Sequence, residues 1–339
     1  MRIALDAMGG DNAPSVTVAG AVHAARELQL PVVLVGRRRV IAEEIARQNA
    51  QDLDLPIIHA EQVVGMDEHP SAAIKAKPDS SMAVGMRLLK GGEVAAFVSM
   101  GNTGGMLAAG VLILGRIRGV RRPALSGVFP TTQARCLLLD IGANADCKPE
   151  YLRQFGIMGA TYAERVMGVQ APRVGLVSNG EEETKGSELV RAAHVLLRQT
   201  PGLNFVGNVE GKDIFAGMTD VAVTDGFTGN VILKSAEGLV GMVTTMLREE
   251  IKRTPVSTLG GLLSKGAFER FASRTDYAEY GGAPLLGLAG VVIVGHGRSS
   301  AKAVMNGVAM AARAARQGVV PAIEAGIEKR VRGEEHGDA

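Results

Sequence analysis

The sequence predicts an α/β protein, a doubly wound and mostly parallel sheet flanked by helices. Three observations point there. Strand-like and helix-like segments alternate along the whole chain. The strand segments, such as "VVLV" and "AFVS", are nearly unbroken apolar runs, the pattern of strands covered on both faces. Many of these runs end in a small, polar, glycine-bearing corner at which a helix can begin.

Taken in order, apolar runs place strands at 2–6, 32–35, 56–59, 94–99, 135–141, 173–178, 204–206, 221–224 and 291–294. Helical patterns fall between them at 14–28, 80–89, 149–167, 187–198, 231–251 and 299–316. The 339 residues suffice for a large core, and no repeat, low-complexity linker or break in composition divides them. A single α/β domain over 1–332, one- or two-lobed, with a polar tail at 333–339, is the expected organisation.

Composition narrows the function. The chain is 46% hydrophobic and 21% charged, the balance of an ordered globular protein. A formal charge of +2, 4% aromatic residues and no Trp leave little to attract or stack nucleic acid. Cys136 and Cys147 form no CxxC pair or disulfide framework, which fits a reducing compartment. The opening "MRIALDAMGG" lacks a signal-peptide core and no run of 18 apolar residues occurs, so a cytoplasmic location is expected.

Five corners share one character. Met100 leads into Gly101-Asn102-Thr103-Gly104-Gly105, Ile141 into Gly142-Ala143-Asn144, and Ser178 into Asn179-Gly180-Glu181. Thr224 leads into Asp225-Gly226-Phe227-Thr228-Gly229-Asn230, and Val294 into Gly295-His296-Gly297. In a parallel sheet the carboxyl ends of strands lie on one edge, so these corners are expected to share one ligand site. Glycine lets backbone N–H groups approach an anion closely, and helix starts favour negative charge.

Other chemistries find less support. "VGHGRSS" approaches a dinucleotide fingerprint, but no later strand carries an acidic residue for a ribose. Gly207-Asn-Val-Glu-Gly211-Lys212-Asp213 is one residue short of a Walker loop, and no G-x-S-x-G elbow occurs. The six histidines show no metal-binding spacing, and no cofactor is called for. Glu181-Glu182-Glu183 reads as a solvated helix start and Cys147 as an inert thiol. Lys185 reads either as a surface lysine paired with Glu181 or Glu182, or as a charge facing a phosphate or oxyanion. Residues 252–274 break the α/β rhythm, with Leu259, Leu262 and Leu263 on one face of a basic helix. That helix suits core packing, a dimer interface or an anionic membrane surface.

Taken together, "RIALDAMGGDNAP", "DSSM", "SMGNTGG", "GRIRGVRRPAL", "LLLDIGANADCKPEYL", "VGLVSNGEEETKG", "FVGNVEGKD", "DVAVTDGFTGNV" and "YGGAPLLGL" resemble the phosphate acyltransferase family, in family order and over nearly the whole chain. The resemblance implies transfer of a long acyl chain from acyl carrier protein to inorganic phosphate, yielding acyl phosphate for phospholipid synthesis. It further implies a homodimeric cytosolic enzyme with peripheral membrane contact, folded like phosphotransacetylases and isopropylmalate-type dehydrogenases. Lys185 and Asn230, in the matching "EEETKG" and "DGFTGN" motifs, are its expected catalytic residues.

Such a reaction needs no enzyme nucleophile. Phosphate is itself nucleophilic, and a thiolate leaves readily. What remains is to orient the anion and to stabilise a tetrahedral oxyanion. The expected site therefore holds phosphate on the amides of Gly101, Asn102, Thr103, Gly104 and Gly105, with the Thr103 hydroxyl donating. Lys185 supplies charge, Asn230 donates to the thioester oxygen, and Asn144, Asn179, Asp225 and His296 line the site. Arg116, Arg118, Arg121 and Arg122 form a candidate docking face for the acidic carrier, and Leu259, Leu262 and Leu263 a candidate membrane contact. A short-chain phosphotransacetylase using acyl-coenzyme A, an isopropylmalate-like dehydrogenase and a non-catalytic phosphate sensor or membrane scaffold are the competing readings.

Overall fold

A computed structural model of the protein describes residues 1–275 and 281–331. Its sheet has eleven strands: β1 (Ile3–Asp6), β2 (Val32–Gly36), β3 (Ile57–His59), β4 (Ala96–Ser99), β5 (Ala124–Pro130), β6 (Arg135–Leu139), β7 (Val174–Val177), β8 (Phe205–Val209), β9 (Val221–Val223), β10 (Ala283–Leu286) and β11 (Val291–Val294). Their order is β3-β2-β1-β4-β11-β10-β5-β6-β9-β7-β8.

Both faces of the sheet are buried, and the strands alternate residue by residue between two cores. Ile3 and Leu5 enter one core and Ala4 the other; Leu137 and Leu139 part from Leu138 in the same way. This is why the strand segments read as continuous apolar runs. Helices Ser15–Leu28, Pro149–Tyr162 and Ala301–Arg316 cover the first face, and Ser81–Lys90 and Thr103–Ala109 cover the second.

The sheet is parallel within each half and reverses between them. β3, β2, β1, β4 and β11 run one way; β6, β9, β7 and β8 run the other. Antiparallel pairings of β11 with β10, β10 with β5 and β5 with β6 make the reversal. The expectation that all five corners lie on one edge of one parallel sheet is therefore corrected. Four of them, all but the Asn179–Glu181 corner, reach a common place differently. Ala283 of β10 pairs with Val294 at the end of β11, and Leu285 pairs with Leu125 of β5. The next residue, Ser126, pairs with Leu139 at the end of β6. The carboxyl ends of the two halves thus meet head-on at the β10–β5 crossing.

The nine strands read from sequence are present, while β5 and β10 are not among them. The helix expected at 231–251 spans Gly226–Lys252 and takes in the whole of Gly226 to Asn230. The segment expected as one helix at 252–274 is two, Pro255–Leu263 and Lys265–Thr275, separated by Ser264. Leu259, Leu262 and Leu263 are 59%, 67% and 81% exposed. Among the described residues no helix is long and apolar enough to cross a membrane. The expected tail at 333–339, and Tyr280 of "YGGAPLLGL", lie outside the described residues.

Candidate active site

The β4 corner is built from buried polar groups. Ser99 closes β4 and donates its hydroxyl to Asp6 Oδ2 at the end of β1, at 2.7 Å. It accepts the Gly101 N–H at 3.1 Å. Asn102 then caps the helix Thr103–Ala109: its Oδ1 accepts the Gly105 N–H at 2.9 Å. Its Nδ2 donates to the carbonyls of Gly65, Met66 and Glu68. Two of the five amides expected to form a cradle therefore already have acceptors. Gly101 and Gly105 donate within the protein, whereas the N–H groups of Thr103 and Gly104 have no acceptor among the described residues. These are orphan donors of a helix start, suited to an anion.

Asp140 organises the opposing corner. Its carboxylate accepts the N–H groups of Leu125, Gly142, Ala143 and Asn144 and the Asn144 side-chain amide. Burial pushes this carboxyl above its ordinary value, and the hydrogen bonds pull against the rise. Asn144 Nδ2 also donates to the Pro123 carbonyl at 2.8 Å.

The long helix Gly226–Lys252 is pressed against that loop. Asp225 caps it, accepting the Thr228 N–H at 2.9 Å and the Thr228 hydroxyl at 2.8 Å. A Cβ on Gly226 would stand 2.6 Å from the Asn144 carbonyl oxygen, and one on Gly229 would overlap the Asp140 carbonyl oxygen. These glycines permit close packing of a helix; they do not form a loose anion-binding loop. The clamp brings Asn230 Nδ2 to the Ile141 carbonyl at 3.2 Å, which fixes the amide beside the opening.

Where the halves meet lies a cavity of about 470 Å³. Gly101, Thr103 and Gly104 line it from one side, Gly142, Asn230 and Lys234 from the other, with His296 between. Burial, then the Lys234 and Arg298 cations, push the His296 imidazolium below its ordinary 6.5, so the ring is neutral at pH 7. A second, apolar cavity of about 890 Å³ shares the walls formed by Val128, Leu233, Glu237 and His296. It continues past Phe129, Phe215 and Val240 to Phe271.

Other expected residues lie elsewhere. Lys185, Asn179, Asn144 and Asp225 are not among the residues lining either cavity. Their polar groups hold the loops: Asn179 Oδ1, for example, accepts the Gly186 N–H at 2.9 Å. Lys185 is exposed on the loop after β7, two strands from β6. Arg116, Arg118, Arg121 and Arg122 are all exposed just before β5. Arg116 donates to the Arg121 carbonyl, and Arg122 lies over the Tyr151 ring at 6.0 Å.

Neither thiol is primed as a nucleophile, since burial pushes both Cys136 and Cys147 up to about 12. Glu181, Glu210 and Asp213 bring carboxylate oxygens within 4.8 Å of one another. Glu210 and Asp213 cap the helix Gly211–Ala216, and Lys212 pairs with Glu210. The residues that sequence reasoning missed are Asp6, Ser99, Asp140 and Lys234. Only Lys234 carried a usable signal, its spacing of four from Asn230.

A family model described as "Fatty acid synthesis protein" matches residues 1–322. A phosphate acyltransferase from Geotalea daltonii is 51% identical over 319 residues, 94% of this chain and 92% of that protein. Among solved structures, a phosphotransacetylase from Streptococcus pyogenes aligns with a TM-score of 0.66 at 18% identity, covering 93% of this chain and 94% of the other. A 4-hydroxythreonine-4-phosphate dehydrogenase from Klebsiella pneumoniae aligns with a TM-score of 0.52 at 14% identity, covering 93% and 98%. These two share the fold.

Proposed function

The chain belongs to the phosphate acyltransferase family, and we propose that it transfers a long-chain acyl group from acyl carrier protein to inorganic phosphate, giving acyl phosphate for phospholipid synthesis. The observation that carries this reading is the adjacency of two cavities. One bears the unpaired amides of Thr103 and Gly104 and the Asn230 side chain on otherwise largely apolar walls; the other is larger, more apolar and shares Val128, Leu233, Glu237 and His296 with it.

Phosphate enters the smaller cavity and hydrogen-bonds to the Thr103 and Gly104 amides and the Thr103 hydroxyl. The acyl chain lies in the apolar cavity, which places the thioester at the shared wall. One phosphate oxygen attacks the carbonyl carbon, the C–S bond breaks, and the carrier thiolate leaves and takes a proton from water. The Asn230 amide, fixed by Ile141, donates its other proton to the developing oxyanion. Lys185 supplies positive charge from the flank. Asp140 and Asn144 hold the loop against which the helix bearing Asn230 is set.

The exposed arginines 116, 118, 121 and 122 offer the acidic carrier a complementary face. Leu239, Met242, Val243 and Met246 expose an apolar side of the long helix, which suits burial against a second copy. Leu259, Leu262 and Leu263, beside Lys252 and Arg253, suit contact with the inner face of the cell membrane.

Incubation with palmitoyl-carrier protein and phosphate, quenched with hydroxylamine, is expected to give palmitoyl hydroxamate. Its absence overturns the reading. The phosphotransacetylase fold supports a second reading, a short-chain enzyme using acyl-coenzyme A. Preference for acetyl-coenzyme A over the palmitoyl carrier would establish it.

A further inference from the structure

Lys185 was the cation expected at the reacting centre, yet it does not line the cavity that holds Thr103, Gly104 and Asn230. Among the described lining residues Lys234 is the only Lys or Arg. It stands one turn beyond Asn230, so the two side chains project from the same face of the long helix. The Gly226 and Gly229 contacts with the 140–144 loop clamp that helix and fix where this face points.

We propose that Lys234 is the phosphate-binding cation of this site. The inference rests on the reading that phosphate reacts in this cavity. Apart from Lys234, the one charged side chain lining the cavity among the described residues is the Glu237 carboxylate, which repels an incoming dianion. Lys234 Nζ donates to Glu237 Oε2 at 2.8 Å, with the two side chains 50% and 36% exposed. Water screens an ion pair of that exposure, so it yields readily to a doubly charged competitor. The ammonium has three donors and can bridge phosphate to Glu237 or leave Glu237 altogether. Arg298, the other cation near His296, lines the apolar cavity instead.

The test compares the wild type with Lys234→Gln and Lys234→Arg, each checked for a native circular dichroism spectrum and melting curve. Lys234→Gln is expected to raise the KM for phosphate at least about tenfold and to leave the KM for the acyl donor within about twofold, with Lys234→Arg recovering part of the loss. A phosphate KM within about twofold of wild type in Lys234→Gln overturns the assignment. Calorimetric titration with inorganic phosphate alone separates this inference from the reading beneath it. Weaker phosphate binding by Lys234→Gln supports Lys234 even if no donor yields acyl phosphate, an outcome that would sink only the reaction. Equal binding by wild type and variant overturns Lys234, and a wild type that binds no phosphate overturns both.

Discussion

The Ser99 hydroxyl lies 2.7 Å from Asp6 Oδ2 and so joins the ends of β4 and β1 at the corner that opens the helix Thr103–Ala109. Because Ser99 also receives the Gly101 N–H, the first peptide of the corner is held, through Ser99, by a buried carboxylate. Ser99→Ala leaves that buried carboxylate and the Gly101 amide each short of a partner. A loss of about 1–3 kcal/mol is expected in urea unfolding, with a fall in acyl phosphate formation.

The same carboxyl sets a pH dependence. Burial raises Asp6 above its ordinary 3.8, while hydrogen bonds from Ser99 and neighbouring amides oppose the rise. The folded state therefore holds a proton that the unfolded chain releases near pH 4. The contribution of Asp6 to stability falls as pH rises from the unfolded value through the raised folded one. Asp6→Asn should flatten this fall of the urea midpoint as pH rises above about 4. An unaltered slope would show that Asp6 is not its source.

Gly229→Ala forces a methyl into the Asp140 carbonyl oxygen. The clash should cost about 3 kcal/mol of stability and displace the first turn that carries Asn230. Differential scanning calorimetry and an activity assay on the surviving folded fraction check both effects. Gly238→Ala, on the same helix with open space around it, is the control expected to be neutral or stabilising.

Asn230→Ala removes the proposed oxyanion donor and should lower kcat about 10²–10³-fold with little change in phosphate KM. Lys185→Ala should also lower kcat, by a smaller factor because the side chain is exposed and screened. Wild-type rates from both folded variants would remove them from the chemistry.

Charge reversal at Arg118 and Arg122 should raise the KM for acyl carrier protein and leave the KM for phosphate unchanged. Raised salt should reproduce the effect in the wild type. A carrier KM that ignores both treatments would place docking elsewhere.

Much of this architecture was legible because buried strands announce themselves. β1, β2, β4, β6, β7, β9 and β11 are apolar on both faces, and their runs stand out from polar corners. β5 and β10 were not legible. "ALSGVFP" and "APLL" carry Gly and Pro, which argue against a central strand, and tertiary pairing overrides that preference. These two strands reverse the sheet, so missing them turned two opposed halves into one imagined parallel edge. The site suffered from a related error. With the helix begun at Val231, Asn230 belonged to a loop and Lys234 to an unplaced helix face. With the helix begun at Gly226, the spacing of four puts both in one cavity. Asp6 and Asp140 were visible as motif letters, but their partners come from distant strands or bent loops that no local pattern encodes.

The central claim is that bound phosphate, and no side chain, attacks the thioester at the meeting of the two half-sheets. Its most direct test is to mix the protein with stoichiometric palmitoyl-carrier protein in the absence of phosphate, then follow free thiol and intact protein mass. The account predicts no thiol release and no mass increase until phosphate is added, when acyl phosphate and thiol appear together. A palmitoylated protein with an equivalent of thiol released before phosphate arrives would contradict it.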